Sequence, residues 1–229
     1  MQASRAALVV AVIGVLLGLV AGCTRQTAGE ARPDATAVPL AVANDGYGIV
    51  AGFDDAPARI EIYTEPQCTH CHDLQHDFGD EIAYDITVGR LQVTYRPLTF
   101  LDDGAAGYSA KVANALFLAT DVVGEAATSG TQFQRFVEAL WAHQHPGGPV
   151  FSDDELRTMA GEAGLPRAVA DHVAASGRAV DVAEMEATNF GFLYDIDPAQ
   201  TGTPTVYDLK AGEKLDIADD GWLDKLVDS

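Results

Sequence analysis

Cysteine and positive charge are both scarce in this chain of 229 residues. Acidic residues outnumber basic ones by 34 to 14, and the Lys and Arg residues are scattered without forming a basic stripe. The sequence therefore argues against nucleic acid and anionic lipid surfaces as partners, and the acidic excess fits a soluble, self-repelling surface. Only three cysteines are present, and there is no second Cys pair that would complete a four-cysteine metal site.

The longest apolar run is too short to span a bilayer. Residues 6–20 are almost entirely Ala, Val, Leu, Ile and Gly, whereas a spanning helix needs about 20 apolar residues. A charged start at Arg5, a short apolar run and small residues after it predict a secretory signal peptide over residues 1–22. The segment Val20–Gly22 directly before Cys23 is similar to the lipobox of bacterial lipoproteins, which implies lipidation of Cys23 and cleavage in front of it.

Two alternatives for this N-terminal segment are an ordinary signal peptide that contains a cysteine and an uncleaved membrane anchor. All three readings place the rest of the chain outside the cytoplasm, and the favoured one predicts a cell membrane lipoprotein. If Cys23 carries lipid, only Cys68 and Cys71 remain, and no cysteine is left for a structural disulfide. In an export compartment this pair is then expected to perform redox chemistry.

Cys68 and Cys71 form a Cys-x-x-Cys pair in an informative context. The pair follows a strand-like run, Ile60–Tyr63, and opens a helix-like segment. A Thr203-Pro204 dipeptide precedes another strand pattern, Val206–Leu209, near the end of the chain. Such a pair between a strand and a helix, together with Thr-Pro before a late strand, indicates a redox-active dithiol on a thioredoxin-like scaffold.

The N-terminal half of this scaffold is predicted over residues 46–107. Residues 23–45 are rich in Thr, Ala, Pro and charge without periodicity, which predicts a flexible tether. A short strand is expected at 46–50, followed by strands at 59–64 and 91–97 on either side of a helix that Gly89 ends. The strand–helix–strand order favours parallel strands packed against the helix.

An inserted helical domain is predicted over residues 108–193, and the C-terminal half of the scaffold over 194–229. The insertion contains a helical apolar stripe, a capping box that starts at Ser152, and two further helices. The supporting segments are Phe133–Trp141, Ser152–Glu155, 166–176 and 179–188 for the insertion, and a hairpin at 210–213 with a closing helix at 222–227 for the last part. The predicted fold class is α/β, a thioredoxin-like fold with a helical domain inserted between its two halves.

From about Gly46 onward the chain resembles the DsbA-like thiol-disulfide oxidoreductases of the thioredoxin superfamily, in a lipoprotein form. The resemblance rests on Glu65–Cys71, Gly89, Tyr95–Pro97, Phe100–Asp102 and Gly202–Pro204. It implies thiols and disulfides of exported proteins as substrates and a membrane redox partner that recycles the dithiol. No metal or organic cofactor is expected. The family often has Pro after the first Cys, and Thr69 stands here, so the direction of electron flow (oxidase, isomerase or reductase) stays open, with oxidation favoured.

The expected chemistry assigns a role to each residue around the pair. Cys68 at a helix N-terminus is the predicted nucleophile, because unpaired N–H groups and the helix dipole stabilise its thiolate. Cys71, one turn later, is the predicted resolving thiol. His70 is predicted to stabilise the Cys68 thiolate, the alternative being an exposed histidine without a role. Glu65 is predicted to exchange the proton that Cys71 needs, the alternative being an acid that only complements the helix dipole.

Thr203 and Pro204 are predicted to form the substrate-binding side of the site. A cis X-Pro bond is expected here because, in thioredoxin-like proteins, this loop faces the dithiol and the residue before Pro offers its backbone to the substrate. The alternative is an ordinary trans proline at a strand entry.

Two other classes of protein compete with this reading. Cys68–His72 also matches the attachment signature of c-type haem, with His72 as the iron ligand. A metal carrier could use the two cysteines with His70, His72 and His76. Both readings are disfavoured, because the pair follows a strand and the chain also contains the Thr-Pro element.

Overall fold

A computed structural model describes residues 38–102, 107–175 and 177–228. Within these ranges the strands are β1 (Leu40–Val42), β2 (Ile49–Ala51), β3 (Ala58–Thr64), β4 (Leu91–Pro97), β5 (Thr205–Asp208) and β6 (Glu213–Lys214). The helices are α1 (Thr69–Val88), α2 (Tyr108–Leu118), α3 (Gly130–Ala142), α4 (Asp153–Glu162), α5 (Arg167–Ala174), α6 (Val182–Ile196) and α7 (Trp222–Val227). The predicted α/β class is confirmed.

The strands form one sheet in the order β1-β2-β4-β3-β5-β6. β3 and β4 are parallel, with Ile60 opposite Val93, as the strand–helix–strand pattern predicted. The other pairs are antiparallel. The central strands β3 and β4 carry few exposed side chains, because helices cover them. β3 ends at Thr64, so the Cys pair lies just beyond the carboxyl end of a central strand.

Helix α1 begins after Cys68 and ends at Gly89, as predicted. Gly89 adopts the left-handed conformation with φ 78°, in which glycine has no steric penalty. Leu74, Ile82 and Ile86 bury one face of the helix. Phe78 is partly buried and meets the Trp222 ring edge-on, with 5.5 Å between ring centroids.

The segment between β4 and the C-terminal strands contains α2 to α6. Ser152 caps α4 in a capping box, as predicted, and Ser129 makes a second one at the start of α3. The apolar stripe of α3 is core, because each of its five large side chains is at most 2% exposed: Phe133, Phe136, Val137, Leu140 and Trp141. The buried apolar side chains of the insertion therefore belong to the same core cluster as those of the sheet.

Two predicted boundaries are wrong. The predicted tether, 23–45, includes β1, which pairs with β2, and Val38, which is buried. The helix expected over 179–188 is α6, which continues to Ile196 and so crosses the predicted domain boundary at 193. The reason is packing on the sheet, since the buried side chain of Asn189 donates to the carbonyls of Tyr47 and Pro97.

The N-terminal predictions lie outside the described residues. These are the signal peptide over 1–22, Cys23 as the lipidation site, and the tether up to residue 37. In the described ranges, no helix combines the length and the apolar character needed to cross a bilayer.

Candidate active site

The two cysteines lie where β3 ends and α1 begins. Cys68 is the N-cap residue of α1, and Cys71 lies in its first turn, with its N–H donating to the Cys68 carbonyl at 3.1 Å. Both thiols are free. Cys68 is partly exposed whereas Cys71 is fully buried, so an attacking sulfur can reach only Cys68 from solvent.

The surroundings of Cys68 favour its thiolate. A hydrogen bond from the Cys71 thiol lowers the pKa of Cys68 to about 5, although partial burial acts in the opposite direction. The Thr203 side chain and the N–H groups of Cys71 and His70 lower the pKa further. N–H groups of a first helical turn lack the regular carbonyl partner four residues earlier, and the helix dipole also favours an anion there. Cys68 therefore has the electrostatics of a reactive cysteine.

Cys71 has the opposite character. Burial raises its pKa well above the ordinary value for a thiol, and the hydrogen bond to Cys68 acts in the same direction. Hydrogen bonds from the Thr64 side chain and the Glu65 backbone lower it only in part. The pair thus combines one ionised, accessible sulfur with one protonated, buried sulfur.

The Thr203–Pro204 peptide bond is cis, as predicted. The Cys68 sulfur lies 3.2 Å from the Thr203 carbonyl oxygen, so this loop lies directly against the dithiol. A polypeptide that extended along the Thr203 backbone would bring its own sulfur close to Cys68.

Glu65, the residue directly after β3, is fully buried. Burial raises the pKa of its carboxyl group to about 7, although hydrogen bonds from Ser109 and from the Gln67 N–H lower it, and the charges of Asp102 and Cys68 raise it further. A group that titrates near neutral pH can both accept and release a proton. The alternative for Glu65 is an acid that only complements the helix dipole. An acid of that kind is usually exposed in the first turn of a helix, whereas Glu65 precedes α1 and is buried.

His70 lies between the two cysteines in the sequence, and its imidazole is exposed. Its side chain is 80% exposed, with Nδ1 3.5 Å from the Asp73 carboxylate. The group through which His70 lowers the Cys68 pKa is its backbone N–H. The role expected for the imidazole stays a prediction.

A cluster of polar side chains that the sequence analysis did not identify connects the dithiol segment to the insertion. Gln67 Nε2 donates to Asp102 Oδ1 at 2.9 Å and to Ser109 Oγ at 3.2 Å. Asp102 also accepts from the N–H groups of Ser109 and Ala110, and so caps α2. Gly107, the N-cap residue, has no room for a side chain because the Asp102 carboxylate occupies that space.

The loop after α3 also contacts the active-site segment. Gln144 Nε2 donates to the Cys68 carbonyl at 3.3 Å, and the Gly147 N–H donates to Gln67 Oε1 at 3.0 Å. The loop therefore holds the segment before α1 in place from the insertion side.

A groove of about 400 Å³ opens beside the dithiol. Its lining is mostly apolar, with two carboxylates and one imidazole: His70, Asp73, Leu74, Asp77, Phe78, Thr203, Pro204, Ile217 and Ala218. The groove is continuous with the cis-proline loop, so a chain lying in it would pass Cys68.

The haem and metal readings depended on His72 and its neighbours. The His72 ring stacks on that of His76, with 5.8 Å between centroids, and its Nδ1 lies 3.3 Å from Asp73. Among the described residues no three His, Cys, Asp or Glu side chains are grouped to hold a metal ion.

Several solved structures share this fold. The MdbA thiol-disulfide oxidoreductase from Corynebacterium diphtheriae is 22% identical, with a TM-score of 0.65 over 85% of this chain and 95% of that one. MdbA from Corynebacterium matruchotii is 21% identical, with a TM-score of 0.67 over 85% and 94%. Reduced DsbA from Mycobacterium tuberculosis is 19% identical, with a TM-score of 0.55 over 80% and 94%. At these identities the likeness establishes the fold.

Among curated proteins, the serine/threonine-protein kinase PknE of Mycobacterium tuberculosis is 29% identical over 210 residues, which are 89% of this chain and 35% of that protein. The chain thus spans about a third of the length of this relative. The family model described as Thioredoxin matches residues 44–176, more than half of the chain. Together with the dithiol at the start of α1 and the cis-proline opposite it, this match shows that the chain belongs to the thioredoxin family.

Proposed function

We propose that this protein is an extracytoplasmic thiol-disulfide oxidoreductase that acts as an oxidase on exported proteins. One observation carries the proposal: an accessible, acidic Cys68 and a buried Cys71 face the cis Thr203–Pro204 loop. The fold shared with MdbA and DsbA supports the same activity. The exported location rests on the signal-like residues 1–22.

In the oxidising direction, a substrate thiolate attacks the sulfur of Cys68 in the Cys68–Cys71 disulfide. The bond between the two cysteines breaks, and Cys71 leaves with the electron pair and takes up a proton, for which Glu65 is the proposed donor. A second substrate thiolate then attacks the substrate sulfur of the mixed disulfide and releases the Cys68 thiolate. The substrate loses two electrons, which a membrane redox partner must later remove from the dithiol.

The low pKa of Cys68 favours this direction. A stabilised thiolate makes the reduced form more stable and the disulfide correspondingly more oxidising. A disulfide isomerase or reductase on the same fold is the alternative. It would use the same two cysteines but require a supply of electrons.

The reduction potential of the pair separates these functions. Titrated against glutathione, the purified protein is expected to give a value nearer the roughly −120 mV of DsbA than the roughly −270 mV of thioredoxin. Cys68→Ser is the matched control, because it cannot form the disulfide. A value close to that of thioredoxin would overturn the oxidase assignment and favour the alternative. A Soret band without a titrating dithiol would instead support the haem reading.

The groove beside Cys68 is the proposed docking site for substrate polypeptides. Its apolar lining suits the side chains of an unfolded chain, and the Thr203 carbonyl is an acceptor for substrate backbone. The exchange needs no bound cofactor or metal, because the two electrons pass directly from the substrate thiols to the Cys68–Cys71 disulfide.

Lipidation at Cys23 is the proposed means of attachment to the membrane. When the full chain is expressed in a bacterial host with a labelled fatty acid, the protein is expected to become labelled. Cys23→Ala should abolish the label, because the acylated sulfur is lost, whereas Cys68→Ser should retain it. Persistent labelling of Cys23→Ala would contradict this proposal.

A further inference from the structure

Ser109, the second residue of α2, is fully buried and belongs to none of the sequence motifs. We propose that Ser109 is a positioning residue of the dithiol site: it holds the Glu65 carboxylate in its charged form, in which Glu65 accepts the Cys71 proton when the reduced pair is reoxidised. The inference rests on the proposed function, in which Glu65 and Cys71 exchange a proton.

The direction of the hydrogen bonds supports this role. Ser109 Oγ receives a hydrogen bond from Gln67 Nε2 at 3.2 Å and donates one to Glu65 Oε1. A hydroxyl group has a single proton, and the amide nitrogen of Gln67 can only donate. The Ser109 proton is therefore directed at Glu65.

The second oxygen of Glu65 is satisfied as well. Glu65 Oε2 accepts from the Gln67 N–H at 2.6 Å. Two donors aimed at the two oxygens suit a carboxylate, because a neutral carboxyl group would have to place its own proton against one of them. Ser109 and the Gln67 backbone thus form a preorganised cradle for the charge.

The amide of Gln67 is itself held in one orientation. Its Oε1 accepts from the Gly147 N–H at 3.0 Å, and its Nε2 donates to Asp102 Oδ1 at 2.9 Å. A flipped amide would place oxygen against the Asp102 carboxylate. The insertion therefore fixes the donor that in turn orients the Ser109 hydroxyl.

Apart from the hydrogen bonds of Ser109 and the Gln67 N–H, the surroundings of Glu65 oppose its ionisation. Burial raises its pKa most, and the negative charges of Asp102, from the loop after β4, and of Cys68, at the start of α1, act in the same direction. Burial raises the pKa of Tyr108, at the start of α2, and the negative charges of Glu155 and Glu65 act in the same direction. Of the two groups that lower the Glu65 pKa, Ser109 has the larger effect.

The test is a titration of the Glu65 carboxyl carbon by NMR in the full chain with ¹³C-labelled glutamate, assigned by its loss in Glu65→Gln. In Ser109→Ala we expect the midpoint to rise by about one pH unit, because a hydrogen bond to a charged group is lost. Ser129→Ala is the matched control, since it removes a buried serine hydroxyl from another helix N-terminus. It should leave the midpoint unchanged.

A kinetic readout separates positioning from general destabilisation. The rate at which Cys71 resolves a preformed mixed disulfide on Cys68 should depend on pH, with a midpoint that rises in Ser109→Ala by the same amount. Loss of structure alone would reduce the amplitude without moving the midpoint. Gln67→Leu, which keeps the backbone donor to Glu65, provides a second variant and should give a smaller rise of both midpoints.

An unchanged Glu65 midpoint in both Ser109→Ala and Gln67→Leu would overturn the inference. A rise of equal size in Ser129→Ala would also overturn it, because the effect would then not be specific to the cradle. Failure of the proposed function is a separate result: the unaltered protein would show no titrating dithiol, while the Glu65 titration would still report on Ser109.

Discussion

Replacement of Cys68 with Ser is expected to reduce disulfide exchange to the uncatalysed background. Cys68 is the sulfur that solvent and the cis-proline loop both reach, and a serine hydroxyl does not ionise near neutral pH. Formation of a disulfide in a reduced model peptide with two cysteines measures the loss. Cys23→Ser is the matched control for removal of a cysteine and should retain full exchange in the detergent-solubilised protein.

Replacement of Cys71 with Ser should produce a different defect. In this variant the Cys68 thiolate can still attack a substrate disulfide, which breaks that disulfide and releases one substrate thiolate. The mixed disulfide at Cys68 then has no buried thiol to resolve it, so covalent adducts with substrate should accumulate. They would appear as slower-migrating bands on non-reducing gels and disappear after treatment with dithiothreitol. The double variant Cys68→Ser with Cys71→Ser should give none. Adducts in Cys68→Ser but not in Cys71→Ser would reverse the order of the two thiols.

The features that the sequence predicted are local ones. A helix that starts at Cys68 and stops at Gly89 is visible because N-terminal and C-terminal signals lie within one or two turns of each end. The capping box at Ser152 needs only four residues. The cis bond before Pro204 followed from the dipeptide once the Cys pair had suggested the fold.

The features that the sequence missed depend on distant partners. Ser109 lies 44 positions from Glu65, and Asp102 lies 35 from Gln67. Neither serine nor aspartate carries a periodic or spacing signal that would single it out from other polar residues. Asp102 stood in the Phe100–Asp102 segment on which the resemblance rests, but only the folded chain shows that it caps α2 across several residues.

Errors at the element boundaries have a similar cause. β1 has only three residues and directly follows a proline, so the sequence gives little sign of it. It forms because its backbone pairs with β2 at the edge of the sheet. Helix α6 was expected to end near 188, yet it continues because it packs on the sheet. Asn189, a weak helix former, is retained in its interior by two hydrogen bonds to backbone carbonyls.

The second large effect concerns the pH dependence of Cys68. In the reduced protein its alkylation by iodoacetamide should stay fast from neutral pH down to about pH 6 and decline with a midpoint near 5, the pKa that its hydrogen bonds produce. An unperturbed thiol would have its midpoint near 8.5. Cys71 should not contribute, because it is buried and its pKa is raised. In Cys71→Ser the midpoint should shift, because the thiol that contributes most to lowering the Cys68 pKa is replaced.

The same pKa makes the stability of the reduced protein depend on pH. Because the folded-state pKa of Cys68 lies below that of the unfolded chain, its thiolate stabilises the folded form fully above about pH 8.5. That stabilisation should be lost progressively as the pH falls toward 5. Glu65 has the opposite dependence, because its raised pKa favours the folded state most at acidic pH, with the benefit lost as the pH rises through about 7.

The oxidised protein separates these two contributions. It retains Glu65 but has no Cys68 thiol to ionise, so the difference in urea midpoint between the reduced and oxidised forms reports chiefly on the thiolate. We expect the reduced form to lose stability relative to the oxidised form as the pH is lowered from 8.5 to 5. A difference that stays constant over this range, or an alkylation midpoint near 8.5, would show that Cys68 is an ordinary thiol. The physical basis for an oxidase would then be gone, because only a stabilised thiolate makes the disulfide a strong oxidant.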